Sequence, residues 1–238
     1  MKNFFKQYGE LRTGTNYLKR LIELNFEDCT VFGSVLGWKH GTYDLNNRED
    51  RTSSHKEWVE KKTRDGVVYS VDDLPLRYSP DMLVDCIDHL NYIFSIKKPI
   101  PFILSYKKFR LPNKPLTDQH IINLCRRYND RYRTWLSMYL VSGGVIVPYE
   151  SLIMDIGHIL LSLELKYGLE RTNNTFTDES SPVKASTDVG LIIDRKSKFN
   201  KDYYLAEEYM KEISPHQVRL IESLIDHELV ESLYKRGL

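Results

Sequence analysis

The chain opens on a strand, a glycine-bearing turn and a helix in immediate succession, and this restricts its fold more than any other feature. Asn3 to Tyr8 is short and aromatic-rich, GELRTGTN is a turn, and YLKRLIELNF sets Leu18, Leu21, Ile22 and Leu24 at helical spacing. The alternation returns downstream. TVFGSVLGW, from Thr30 to Trp38, reads as a second strand, NYIFSI as a third ending at Lys97-Lys98-Pro99, and VIVP as a fourth. Between them Ser79-Pro80 opens a helix with Met82, Leu83, Cys86 and Leu90 at helical spacing. A short helix then carries Phe102, Ile103 and Tyr106, and Thr117 or Asp118 caps a long one reaching about Leu140. ESLIMDIGHILLSLELKY is a helix ending at Gly168, and Ser214-Pro215 opens the last, which runs almost to the end. VIVP is apolar throughout, as a strand buried on both faces would be. The pattern predicts an α/β fold, a single domain over 1–238 with a central parallel sheet flanked by helices. Ligands of such sheets bind beyond the carboxyl ends of the strands.

Composition narrows the function. Apolar residues at 41% and charged residues at 28% exclude a wholly disordered chain. Lys+Arg 34 against Asp+Glu 33 gives a net charge of +1, which argues against a dedicated duplex-DNA binder. No apolar run approaches the roughly 20 residues of a membrane span. MKNFFKQYGEL turns polar too soon for a signal peptide. Cys29, Cys86 and Cys125 are odd in number and far apart, so neither a disulfide framework nor a structural zinc site is expected. A reducing, cytoplasmic setting follows as the expectation.

The turn after the first strand is the chemical signal. Amides of a turn and of the first helical residues converge on one place, and the positive end of the helix dipole adds to them, which makes an anion site. Gly14 allows close backbone approach, Thr13 and Thr15 offer hydroxyls, and Arg12 offers a charged fork. The spacing Gly9-x4-Gly14 is that of a nucleotide-binding P-loop, but Thr15-Asn16 stands where that signature has Lys-Ser/Thr. The phosphate-gripping lysine and the magnesium-holding hydroxyl are both missing, a handicap for a kinase or NTPase. A transferred group of lower charge, such as sulfuryl, needs less metal assistance.

RTGTNYL resembles the 5′-phosphosulfate loop of sulfotransferases that use 3′-phosphoadenosine 5′-phosphosulfate (PAPS): Lys/Arg-Ser-Gly-Thr, then an aromatic residue. Arg12, Thr13, Gly14, Thr15 and Tyr17 stand on those positions, and the resemblance implies a PAPS site that also includes Asn16. In IFSIKKPIPFILSY, Lys97, Pro99 and Ser105 match the family's strand end Arg-x-Pro and later serine, which grip the 3′-phosphate. Lysine keeps the charge and loses the bidentate fork. VIVPYESLIMD and KYGLE are similar to a late strand and helix of the family, and the C-terminal segment to its closing helices. Arg195-Lys196 stands where the family often carries Arg-Lys-Gly, contributing to the 3′-phosphate site, although Ser197 replaces the glycine. The implied fold is that of P-loop-like sulfotransferases, the co-substrate is PAPS, the product is adenosine 3′,5′-bisphosphate, and no metal is implied.

Sulfuryl transfer also needs a base and positive charge for the leaving group. His40, in GWKHG after the second strand, resembles the family's catalytic histidine, with Lys39 and Arg12 stabilising charge. His55 is the second candidate base, and Glu49 or Glu57 would serve if a glutamate takes that role. The charged stretch from His40 to Gly66 is long for a connection and is expected to be a lid or acceptor loop. Tyr43, Trp58 and Tyr69 offer it aromatic faces suited to sugars or phenols. Arg126, Arg127, Arg131 and Arg133 form a basic, aromatic helix face that could meet an acidic acceptor or a nucleic acid, and that more often reads as a solvated face with Tyr132 and Trp135 packed inward. The partner expected is a small-molecule or carbohydrate acceptor, with neither a specific nucleic acid nor a membrane. Two other classes stay open: a degenerate P-loop kinase or hydrolase, and a non-catalytic nucleotide-binding module of the same fold.

Overall fold

The computed structural model describes residues 2–33, 35–46, 48–68, 79–178 and 201–238. In chain order it runs β1 (Asn3–Gly9), α1 (Thr15–Asn25), β2 (Cys29–Phe32), α2 (Arg48–Lys62), a two-residue hairpin of β3 (Thr63–Arg64) and β4 (Val67–Val68), and α3 (Pro80–Asp85). Then come β5 (Leu90–Ile96), α4 (Pro99–Arg110), α5 (Asp118–Ser142), β6 (Val145–Pro148), α6 (Tyr149–Met154) and α7 (Ile156–Tyr167). The chain closes with α8 (Lys201–Leu205), α9 (Pro215–Leu224) and α10 (His227–Lys235). The main sheet has the order β2-β1-β5-β6 and is parallel throughout, with Phe5 opposite Val31, Gln7 opposite Ile93 and Ser95 opposite Val147. The expected α/β architecture with helices flanking a parallel sheet is therefore present.

Each face of the sheet has its own core. Phe4, Tyr8, Phe94 and Ile96 cluster with Tyr128, Tyr132 and Trp135 of α5 on one side. Phe5, Val31, Ile93 and Val147 cluster with Leu18 and Ile22 of α1 and Ile159 and Leu163 of α7 on the other. Two-sided burial explains why VIVP is apolar at every position. The polar interruptions of β1 are satisfied locally. Gln7 Nε2 donates to Ser95 Oγ at 3.1 Å. Lys6 Nζ donates to the carbonyls of Gly33 and Gly37 at 3.1 and 2.7 Å.

Those lysine contacts correct the second strand, which ends at Phe32 instead of running to Trp38. Beyond it the backbone turns through left-handed Leu36 and Gly37, and its carbonyls meet a buried ammonium instead of a neighbouring strand. The stretch after His40 is also more ordered than its charge suggested. It contains α2, whose His55 and Val59, one turn apart, are buried against α3. Two helices expected to be continuous are broken by new caps. Asp155 Oδ1 accepts from the His158 amide to start α7, and Asp226 Oδ1 accepts from the Leu229 amide to start α10. Tyr69, Arg195 and Lys196 lie outside the described residues.

Candidate functional site

The chain leaves β1 toward β2 on one side and later returns to β5 on the other. Strand order therefore reverses between β1 and β5, and a crevice opens where neighbouring connections depart to opposite faces. Glu10 to Gly14 leave β1 at that point, and Lys97 leaves β5 beside them.

The turn has two left-handed residues, Arg12 at φ 70° and Gly14 at φ 78°. Gly14 is required twice over: its φ favours glycine, and a Cβ there would lie 2.8 Å from the Tyr149 ring. Gly14 also occupies the N-cap position of α1 and can supply no side-chain acceptor. The first intrahelical bond runs from the Leu18 amide to the Gly14 carbonyl, so the amides of Thr15, Asn16 and Tyr17 have no acceptor inside the helix. No acidic residue stands in that first turn. Lys39 Nζ donates to Asn16 Oδ1, which brings a second cation to the same place as Arg12.

The turn is held from behind by a cluster that sequence reasoning missed. Glu10 is fully buried, and its Oε1 accepts from Arg127 Nε at 2.8 Å and Arg131 Nε at 3.0 Å. Its Oε2 accepts from Arg127 Nη2 at 2.8 Å and the Leu11 amide at 3.1 Å. Two members of the supposed solvated face of α5 are thus anchors of the turn. Their spacing of four places them on one helical face, and a lone acid in a basic turn was the available signal. Thr13 is spent in the same structure: its hydroxyl donates to the Glu10 carbonyl at 2.7 Å, so it braces the loop and does not offer that proton to a ligand. Thr15 is buried, with its methyl against Gly9.

Lys97 meets this turn across the crevice. Its Nζ donates to Ser105 Oγ at 2.9 Å and to the Arg12 carbonyl at 3.3 Å. The rings of Tyr149 and Tyr204 each lie 4.2 Å from the ammonium. Among the described residues no carboxylate pairs with it. Burial pulls its pKa down to about 7; Glu150 acts in the opposite sense, and Arg12 and Lys108 add to the lowering. The Lys97 peptide is fixed by α5: its amide donates to Tyr132 Oη at 2.9 Å, and its carbonyl accepts from Tyr128 Oη at 2.8 Å. The pair Lys97 and Ser105, eight residues apart in sequence, is thus brought together and joined to the loop of Arg12.

His40 closes the crevice on the β2 side. It is buried, its Nδ1 lies 2.5 Å from the Gly9 carbonyl, and the adjacent Lys39 carbonyl accepts from the Gly9 amide at 2.8 Å. A carbonyl only accepts, so Nδ1 carries the proton and the neutral ring keeps its lone pair on Nε2. Burial pushes the pKa down to about 3, with Lys39, Arg127 and Arg131 adding to the lowering and the bond to Gly9 opposing it. His55 is a core residue instead: its Nε2 bonds the Leu83 carbonyl and its ring stacks on Trp58. Glu49 and Glu57 are exposed on α2, where Glu57 pairs with Lys61 at 2.5 Å. Among the described residues no three His, Cys, Asp or Glu side chains gather as a metal site, and no helix is long and apolar enough to cross a membrane.

Searches against protein-family models, curated proteins and solved structures found no match to this chain.

Proposed function

We propose that this chain is a sulfotransferase that moves the sulfuryl group of PAPS to a hydroxyl or amine acceptor at the crevice between β1 and β5. One observation carries the reading. The loop of Arg12 and the pair Lys97–Ser105, more than eighty residues apart in sequence, meet at one strand-order reversal, with Lys97 Nζ 3.3 Å from the Arg12 carbonyl. The residues present suit the two charged ends of such a donor. The uncapped amides of Thr15 and Asn16, with Gly14 and the Arg12 guanidinium, would hold the 5′-phosphosulfate. Lys97 and Ser105 would hold the 3′-phosphate, a buried cation and a hydroxyl suited to an anion. PAPS supplies an activated sulfuryl group on a phosphate that leaves.

The protein's own part is placement and charge. Glu10 in its double-arginine clamp fixes the loop, Tyr128 and Tyr132 fix the Lys97 peptide, and Lys39 and Arg12 place positive charge at the start of α1. His40, with Nδ1–H held by Gly9, keeps the tautomer in which Nε2 receives the acceptor proton. Its depressed basicity requires an anionic neighbour to raise it, and this same property favours the second reading, a nucleotide-binding module without turnover.

Thermal unfolding with adenosine 3′,5′-bisphosphate in the absence of magnesium, against ATP with magnesium, tests the proposal. At one hundred times the dissociation constant the bisphosphate stabilises by about 2.7 kcal/mol, a rise of roughly 5–10 °C. Stabilisation by ATP and magnesium alone rejects the reading. Bisphosphate binding with no labelled sulfate passing to any acceptor selects the non-catalytic module.

A further inference from the structure

The segment that carries His40 continues along α5 into a second feature that the donor site does not use. Trp135 Nε1 donates to the Gly41 carbonyl at 3.0 Å, which ties the turn after His40 to the helix. Immediately beyond it a cleft of about 330 Å³ opens between Thr42–Asn46 and α5. Its chemistry is specific. Thr42 and Ser137 contribute hydroxyls, Thr134 a hydroxyl oxygen whose proton goes to the Asp130 carbonyl at 3.0 Å, Asn46 an amide, Asp44 a carboxylate and Tyr43 an aromatic ring, with Met138 among the apolar lining. Among the described residues no lysine, arginine or histidine lines it. Asp44 Oδ1 accepts from the Asn46 amide and from Asn46 Nδ2 at 2.9 and 3.0 Å, so Oδ2 is left without a protein donor among the described residues. Tyr43 is held in place by its hydroxyl, which donates to Asp50 Oδ2 at 3.2 Å.

Two residues before His40 stands Trp38, 43% exposed, with its ring edge-on to the imidazole at 4.6 Å between centroids. A half-exposed indole beside a buried candidate base is a stacking surface, not core. Along the chain, the line from Trp38 through His40 to Thr42–Asn46 offers an aromatic ring before the candidate base and a hydroxyl-, amide- and carboxylate-lined recess after it. Along α5 the recess begins close to the loop clamp, since Ser137 lies about 9 Å of helix axis beyond Arg131.

We infer that this line is the acceptor groove and that its ligand is a neutral oligosaccharide, one ring on Trp38 and another in the cleft. Several hydroxyl-bonding groups with one aromatic ring suit a polyhydroxylated ring, whereas a phenol or sterol asks for a closed apolar slot. A sulfated or carboxylated glycan would meet Asp44 with no cation among the described lining residues to balance it. The volume suits one or two sugar rings. The assignment of this groove to the acceptor rests on the sulfuryl-transfer reading; the binding of the saccharide does not.

The test is titration calorimetry of the full chain with maltohexaose, cellohexaose and chitohexaose, with a heparin hexasaccharide as the acidic counterpart. Ser137→Trp fills the cleft and Trp38→Ala removes the plate. Saturable binding of a neutral hexasaccharide, weakened about tenfold or more by each variant, supports the inference. Both variants keep the wild-type melting temperature within a few degrees and bind adenosine 3′,5′-bisphosphate as the wild type does. No neutral member binding, binding indifferent to both variants, or preference for the heparin fragment overturns it. Saccharide binding that responds to the variants in a protein that ignores the bisphosphate keeps the groove and removes the donor, so the two readings fail separately.

Discussion

Two helices of similar length begin in opposite ways. At α9, Ser214 Oγ accepts from the Gln217 amide at 3.2 Å, Gln217 Oε1 accepts from the Ser214 amide at 3.1 Å, and Pro215 removes one donor altogether. At α1 none of these devices is present: no side-chain cap, no proline and no acid in the first turn. The other two helices that leave the main sheet without a side-chain cap are relieved differently. Pro99 and Pro101 strip donors from the start of α4, and Glu150 places a carboxylate in the first turn of α6. Among the described helix starts, those of α3, α5, α7, α9 and α10 are completed by a side-chain cap. The helix that starts at the strand-order reversal has neither a side-chain cap nor an acid in its first turn, and Lys39 bonds Asn16 within that turn, beside Arg12.

The sharpest way to break this contrast is to remove what holds the α1 turn. Glu10→Ala leaves two arginines without their carboxylate, and a broken buried pair costs about 3–5 kcal/mol. Arg127 and Arg131 retain 30% and 26% of their side-chain exposure, so the low end, about 3 kcal/mol, is expected in denaturant unfolding. A loss under 1 kcal/mol would mean that the clamp does not shape the loop. Arg12→Ala comes next. Its side chain is exposed, so the melting temperature should hold while labelled-sulfate transfer falls about a hundredfold or more. Unchanged transfer would remove the loop from the chemistry.

The other side of the crevice is sharpened by pH. Lys97 stands near 7 in the unliganded protein against an ordinary value of 10.5, so between these values the unfolded chain holds more protons and stability rises with pH. A bound anion restores the ammonium. Bisphosphate binding at pH 8 should then take up close to one proton, and affinity should fall by approaching tenfold per pH unit above that. Calorimetry in buffers of differing ionisation enthalpy reads the uptake. Lys97→Met should abolish it, and uptake persisting in that variant would move the proton elsewhere.

How much of this was legible follows from the range of each interaction. Strand, turn and helix at the N-terminus, the apolar VIVP and the caps at Ser79, Thr117 and Ser214 are local matters of period and hydrogen bonding, and they read directly. Lys97 and Ser105 came from a resemblance, and only the sheet order brings them to Arg12. The clamp on Glu10 spans 117 residues and has no local signature. Thr13 was read as a ligand donor because a hydroxyl in a turn looks available, until the Glu10 carbonyl takes its proton. Gly33, Leu36 and Gly37 have the local pattern of a strand because Lys6, which takes the carbonyls of Gly33 and Gly37, and Tyr8, whose hydroxyl takes that of Leu36, lie on another element.

The smallest expected effect falls on the helix that completes itself. Ser214→Ala removes the acceptor for the Gln217 amide, and a lost cap of this kind costs about 1 kcal/mol. In a chain of this length that lowers the melting temperature by roughly 2–4 °C. The more telling half is what should not change. Nothing in the α9 cap touches the crevice, so bisphosphate affinity in Ser214→Ala should match the wild type, whereas an acid placed in the α1 turn, Asn16→Asp, should weaken it severalfold while slightly favouring the helix, because it meets the dipole in the ligand's place. Equal responses of the two variants in ligand affinity would show that the two helix starts do not differ in function, whatever their difference in structure.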